Sequence, residues 1–145
     1  MASKNLLEGK RLLIVDDEPD VATYLATVLR TRGHTPIVAG SVRAGFELLS
    51  EALPDLICLD IMMPRESGIS MYIRLKEESD TEPIPVIVIS GVVPEGGFDL
   101  RSYVKGKSVP PPECFLEKPV DVKEFIATVE RLVSSRARAS DKADR

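Results

Sequence analysis

No apolar run in this chain approaches the roughly 20 residues that a membrane span needs, so no transmembrane segment is expected. A basic excess is missing too. With 19 Lys and Arg against 23 Asp and Glu, the net charge is −4, and the positive surplus that usually accompanies nucleic-acid binding is absent. The opening Met-Ala-Ser-Lys-Asn is too short and polar ahead of the first apolar run to be a signal peptide. A cytoplasmic protein with neither nucleic acid nor membrane as partner is the expectation. Cysteine is scarce, at two residues. Cys58 lies within one strand-like run and Cys114 opens another. If one strand separates them they stand about 10 Å apart, beyond the roughly 7 Å between Cα atoms that a disulfide tolerates. Both read as small buried hydrophobes. Internal repeats and interdomain linkers are also missing. The 145 residues suit one domain over 9–135, with a short tail at 1–8 and a polar tail at 136–145.

What is present is an alternation of short apolar runs and helical periods, the pattern of repeated βα units. Leu12-Leu13-Ile14-Val15 ends in Asp16-Asp17. Val21, Tyr24, Leu25, Val28 and Leu29 then follow a helical stripe, with Pro19 at its start and Gly33 at its stop. Thr35 to Val38 makes a short strand, and Ser41 caps a helix whose Val42, Phe46, Leu49 and Leu53 face inward. A third strand covers Asp55 to Leu59 and leads into Asp60. Gly68 opens a helix carrying Ile69, Tyr72 and Ile73 on one side. Pro83 and Pro85 introduce the strand Val86-Ile87-Val88-Ile89, which ends in Ser90-Gly91. Phe115-Leu116-Glu117 ends in Lys118-Pro119, and a last helix from Asp121 buries Val122, Phe125, Ile126, Val129, Leu132 and Val133. From Ser134 onward the apolar period is lost, which predicts a frayed tail. Between Ser90 and Cys114 the chain is rich in Gly and Pro, so the fourth helix is expected to be irregular or shortened.

In a parallel α/β sheet the carboxyl ends of the strands share one edge, where ligands bind. Asp16, Asp17, Asp60, Ser90 and Lys118 would meet there: three carboxylates, a hydroxyl and an amine. Clustered carboxylates repel one another unless a cation intervenes. Mg²⁺ suits the case, because it takes one or two carboxylates, several waters and a phosphate. Lys118 would neutralise remaining charge and hold a phosphate oxygen. Asp60 is placed to act as a nucleophile on phosphorus, giving an acyl phosphate, with Ser90 as hydroxyl donor to the new phosphoryl group. Taken singly, each feature has a plainer reading. Asp16-Asp17 serves as a helix cap, Asp60 as a turn residue, and Phe115 as a core aromatic. His34 reads as structural, Met62-Met63 as the rim of the site, and the mixed charges of the tail as a solvated surface.

The four motifs Leu-Leu-Ile-Val-Asp16-Asp17-Glu-Pro, Cys-Leu-Asp60-Ile-Met-Met-Pro64-Arg-Glu-Ser-Gly68, Val-Ile-Val-Ile-Ser90-Gly91 and Phe115-Leu-Glu-Lys118-Pro119, in this order, resemble the receiver domain of two-component response regulators. The resemblance covers about residues 9 to 135. It implies a flavodoxin-like (βα)5 fold, a doubly wound, five-stranded parallel sheet in the order 2-1-3-4-5. It implies that Asp60 is the phosphoacceptor, that Asp17 binds Mg²⁺ directly and Asp16 mostly through water, and that the Met62 backbone carbonyl completes the protein ligands. Ser90 becomes the switch hydroxyl, Phe115 the switch aromatic, and Lys118 the phosphate contact, aimed by a cis peptide before Pro119. The partners implied are a sensor histidine kinase or a histidine phosphotransfer protein, and a downstream protein that the sequence does not identify. Homodimerisation stays open.

Two departures from the family are visible. The stretch before Lys118 is longer and Gly- and Pro-rich, and it lacks the Gly-Ala pair that usually enters the fifth strand. The expectation is a stand-alone receiver that is not an enzyme beyond its own phosphorylation and slow dephosphorylation. The altered stretch motivates a competing reading, a phosphorylation-independent pseudo-receiver used for docking or dimerisation. A phosphohydrolase of the haloacid dehalogenase type is disfavoured, because Met62 stands where such enzymes carry their acid/base aspartate.

Overall fold

The computed structural model describes residues 10–61, 68–91 and 109–143. Five strands run β1 (Arg11–Val15), β2 (Thr35–Ala39), β3 (Leu56–Asp60), β4 (Val86–Ser90) and β5 (Cys114–Glu117). Among the described residues the helices are α1 (Pro19–Thr31), α2 (Val42–Glu51), α3 (Gly68–Glu77) and α4 (Val122–Ala143). All strand pairs are parallel, in the order β2-β1-β3-β4-β5. This is the expected doubly wound order.

Period-two alternation divides the strands between two cores. Leu13, Val15, Ile57, Leu59, Val86 and Val88 pack against α2 and α3 on one face. Leu12, Ile14, Leu56, Cys58, Ile87 and Ile89 pack against α1 and α4 on the other. The central strands β3 and β4 are buried at every position, which explains why they read as continuous apolar runs rather than alternating ones. Cys58 and Cys114 flank Ile87 in one cross-strand row, so one strand does separate them and both thiols are free. Burial pushes the Cys58 thiol up to about 12.

The helices show where local pattern and tertiary context part. In α1 the buried residues are Ala22, Leu25, Ala26 and Leu29, while Tyr24 is exposed. Ala22 and Ala26, small side chains that permit close packing, share this buried face with the two leucines, and Tyr24 falls outside it. Leu53 is also exposed. The residue before a proline is disfavoured in helical conformation, so Pro54 holds Leu53 beyond α2, which ends at Glu51 with Ala52 extended. Ser41 does cap α2, its hydroxyl accepting from the Ala44 N–H at 3.1 Å. In α3 the deepest side chains are Met71, Tyr72 and Leu75, with Ile69 and Ile73 only partly buried. Asp121 caps α4 by accepting from the Glu124 N–H at 3.0 Å. The polar tail continues α4 as far as Ala143 instead of fraying at Ser134. Its Ala, Arg and Lys residues have high helix propensity and extend a helix already nucleated by Phe125 and Val129.

Polar anchors fix the approaches to β4 and β5. The Tyr72 hydroxyl donates to the Pro110 carbonyl at 2.6 Å. Lys76 Nζ donates to the carbonyls of Glu82 and Ile84 at 3.0 and 2.9 Å. The Glu113 carboxylate accepts from the Val86 N–H at 2.7 Å. The stretch expected to hold an irregular fourth helix falls largely on 92–108, outside the described residues.

His34, the chain's only histidine, is 5% exposed. Neither ring nitrogen has a hydrogen-bond partner among the described residues. Burial holds its pKa below the ordinary value of 6.5; Glu130 opposes this, and Arg32 and Lys10 add to it. Below pH 6.5 the unfolded chain therefore binds more protons than the folded one, and His34's contribution to stability falls as pH falls. Urea denaturation of His34→Phe is expected to show a smaller loss of stability between pH 7 and pH 5 than the parent shows. Equal losses would assign the pH dependence to other groups.

Candidate functional site

Strand register sets the site. Val15 pairs with Leu59, so the residues that follow, Asp16 and Asp60, emerge side by side at the carboxyl edge of β1 and β3. Both are nearly inaccessible, at 3% and 2% exposure, and Asp17 is half-buried beside them. One oxygen from each of the three carboxylates lies within 4.8 Å of the others. Lys118 arrives from the neighbouring end of β5, its N–H donating to the Ser90 carbonyl at 2.8 Å. Its Nζ lies 3.0 Å from Asp16 Oδ2, 3.2 Å from Asp60 Oδ2 and 2.7 Å from Glu18 Oε1. The peptide between Lys118 and Pro119 is cis, as the resemblance implies.

Asp16 is held at both ends. Its Oδ1 accepts from the Glu18 N–H at 2.9 Å, an Asx-turn that leaves Oδ2 for Lys118. Burial works against the Lys118 ammonium, but the hydrogen bonds it donates to Glu18 and Asp16 and the charges of Asp16 and Asp60 outweigh it. Its pKa is accordingly held above the usual lysine range. One ammonium does not neutralise three carboxylates and Glu18. Asp17 makes no ion pair among the described residues, which leaves an oxygen-rich corner suited to a hard divalent cation.

Ser90 is fully buried at the end of β4, one position beyond Ile89, the residue paired with Asp60. Phe115, opposite Val88 on β5, is partly buried against the α2 and α3 face. Ser90 lies two residues beyond Val88 and so projects to the same side. The structure thus gathers Asp16, Asp17, Asp60 and Lys118 in one pocket, with Ser90 on the same edge and Phe115 further down β5. Met62 lies outside the described residues.

Two contributors escaped the sequence reading. Glu18 precedes Pro19 at the N-cap of α1, a position where its carboxylate looks like part of the helix start, yet it makes no capping bond and reaches Lys118 instead. Gly68, the first residue of α3, lies directly against the backbone of Asp60 and Ile61. It closes the Asp60 motif of the receiver resemblance and opens an apolar helix, but neither signal reveals its contact with the strand end.

A parallel sheet in the order 2-1-3-4-5 with an acidic pocket and a paired lysine at its carboxyl edge defines a receiver-type α/β domain. The chain belongs to the response regulator receiver family: the model of the response regulator receiver domain matches residues 12–130. The phosphate regulon transcriptional regulatory protein PhoB of Escherichia coli K12 is 32% identical over 125 residues, which is 86% of this chain and 52% of that protein. The chain therefore spans about half the length of the curated relatives it matches first. Among solved structures, the signal receiver domain of a signal transduction histidine kinase from Syntrophus aciditrophicus superposes with a TM-score of 0.73 at 29% identity, covering 88% of this chain and 92% of that one. A CheY-like receiver domain protein from Methanospirillum hungatei reaches 0.78 at 16% identity, over 91% of this chain and 99% of that one, a likeness of fold.

Proposed function

We propose that this receiver accepts a phosphoryl group on Asp60 from a phosphohistidine donor in a Mg²⁺-dependent reaction. The observation that carries the reading is Lys118 Nζ held between Asp60 and Asp16, with Asp17 alongside. Asp16, Asp17 and Asp60 would hold the ion, together with the Met62 carbonyl. Bound there, Mg²⁺ supplies charge neutralisation for the phosphoryl oxygens. An Asp60 carboxylate oxygen forms the new bond to phosphorus as the bond from phosphorus to the donor's imidazole nitrogen breaks. The electron pair leaves with the imidazole. Lys118 takes a phosphoryl oxygen as hydrogen-bond donor, and Ser90 donates its hydroxyl to another. Ser90 and Phe115 are the residues through which the change would pass to a protein partner.

Phosphoryl donors of the right class are a sensor histidine kinase or a histidine phosphotransfer protein. The sensor histidine kinase TmoS of Ectopseudomonas mendocina itself contains a region 32% identical over 126 residues, 87% of this chain and 12% of that protein. No described helix is long and apolar enough to cross a membrane, and a cytoplasmic location fits the proposed donors. The chain acts on no external substrate in this account. Hydrolysis of its own aspartyl phosphate is slow, because position 62 carries a methionine and no general base.

Mass spectrometry after incubation with Mg²⁺ and acetyl phosphate tests the proposal. One phosphoryl adduct is expected on the parent and none on Asp60→Asn. Stoichiometric uptake by the variant would overturn the assignment of Asp60.

A further inference from the structure

We infer that Glu18 is a positioning residue that occupies one donor of Lys118 in the unphosphorylated protein and gives it up to the incoming phosphoryl oxygen. This rests on the reading of Asp60 as phosphoacceptor. A lysine ammonium has three N–H donors and no acceptor. Three carboxylates lie within 3.2 Å of Lys118 Nζ, so each donor has an acceptor before any phosphate arrives. A phosphoryl oxygen can reach the ammonium only by displacing one of them.

The three are not equally replaceable. Asp60 is the reacting group. Asp16 is buried, and its second oxygen is tied to the Glu18 N–H, so it cannot withdraw without stranding a charge. Glu18 makes the shortest contact, 2.7 Å, yet its side chain is 58% exposed and regains water when released. Its backbone, by contrast, is fixed: φ −91° and ψ 104° at the N-cap, with Pro19 following in the first turn. The side chain forms no capping bond, so nothing on its own helix competes for it. Glu18 therefore works as a removable anion on a fixed stem.

Removing the competitor should speed phosphoryl uptake. An ion pair this exposed is worth about two- to fivefold in rate if it must break before transfer. Charge alone would produce a similar gain by reducing repulsion of an anionic donor, so two variants are needed. Glu18→Gln loses the charge. Glu18→Asp keeps it, but is roughly 1.5 Å shorter, and aspartate at an N-cap turns to the helix's own N–H groups.

Both variants, with Mg²⁺ and acetyl phosphate, are expected to take up phosphoryl about two- to fivefold faster than the parent, with melting temperatures close to it. If Glu18→Asp matches the parent, Glu18 acts through charge only and the inference fails. It also fails if neither variant is faster. The hydrogen-bonded ammonium signal of Lys118, recorded by NMR without any phosphoryl donor, is expected to shift in both variants. An unchanged signal overturns the contact itself, whatever the uptake. If the parent takes up no phosphoryl group, the reading of Asp60 falls and takes this inference with it. If only the variants fail to differ, the reading of Asp60 stands.

Discussion

Gly68→Ala is expected to destabilise the domain by about 3 kcal/mol or more, beyond the usual cost of adding one methyl to a core, and to slow phosphoryl uptake at Asp60. A Cβ at position 68 would overlap the Asp60 carbonyl oxygen, and would lie 2.6 Å from Ile61 Cα. These are backbone atoms at the end of a central strand, so they cannot turn aside as a side chain does. Either α3 moves outward or the strand end carrying the phosphoacceptor shifts. Gly45→Ala is the control. Its Cβ would meet Met71 Cε at 3.0 Å and Val15 Cγ2 at 3.2 Å, both side-chain tips. Helix propensity favours alanine there by up to about 1 kcal/mol, so that variant should stay near the parent. Thermal melts are expected to show a drop of about 10 °C for Gly68→Ala and little change for Gly45→Ala. Equal melting temperatures for the two would mean that the close approach of α3 to Asp60 does not constrain the site.

Lys118→Ala is expected to produce the second large effect, and one that depends on metal. Without Mg²⁺ the substitution removes the ammonium that pairs with the buried carboxylates of Asp16 and Asp60. Unpairing a buried charge costs about 3–5 kcal/mol, and the lower end applies here because the pocket opens to water through Asp17 and Glu18. A divalent cation bound by the same carboxylates would compensate, so Mg²⁺ should stabilise Lys118→Ala more than it stabilises the parent. Urea denaturation with and without Mg²⁺ checks this. A variant as stable as the parent, or one indifferent to Mg²⁺, would contradict the electrostatic account of the pocket.

The sheet and the edge of the site were legible because their causes are local. Each strand is a short apolar run closed by a polar residue, and parallel pairing then brings Asp16 beside Asp60 without further information. Cross-chain geometry was not legible in the same way. The inward face of α1 passes through Ala22 and Ala26 rather than Tyr24, because the distance between helix and sheet decides which side chain fits. Leu53 keeps the apolar period of α2, but the helix ends at Glu51 because Pro54 disfavours helical conformation in the residue before it. The pairing of Glu18 with Lys118 spans 100 residues and leaves no periodicity to read. Gly68 carries a constraint set by the backbone of another element, which a single glycine does not announce. The helical tail follows from residue propensity, a signal that apolar periodicity misses.

The most direct test of the account is to locate the phosphoryl group chemically. After incubation with Mg²⁺ and acetyl phosphate, borohydride reduction converts an aspartyl phosphate to homoserine, and peptide mapping by mass spectrometry reads its position. Homoserine at position 60 alone is the result expected. Homoserine at position 16 or 17, or none in protein shown to be folded, would contradict the assignment of Asp60 as the residue this pocket is built to phosphorylate.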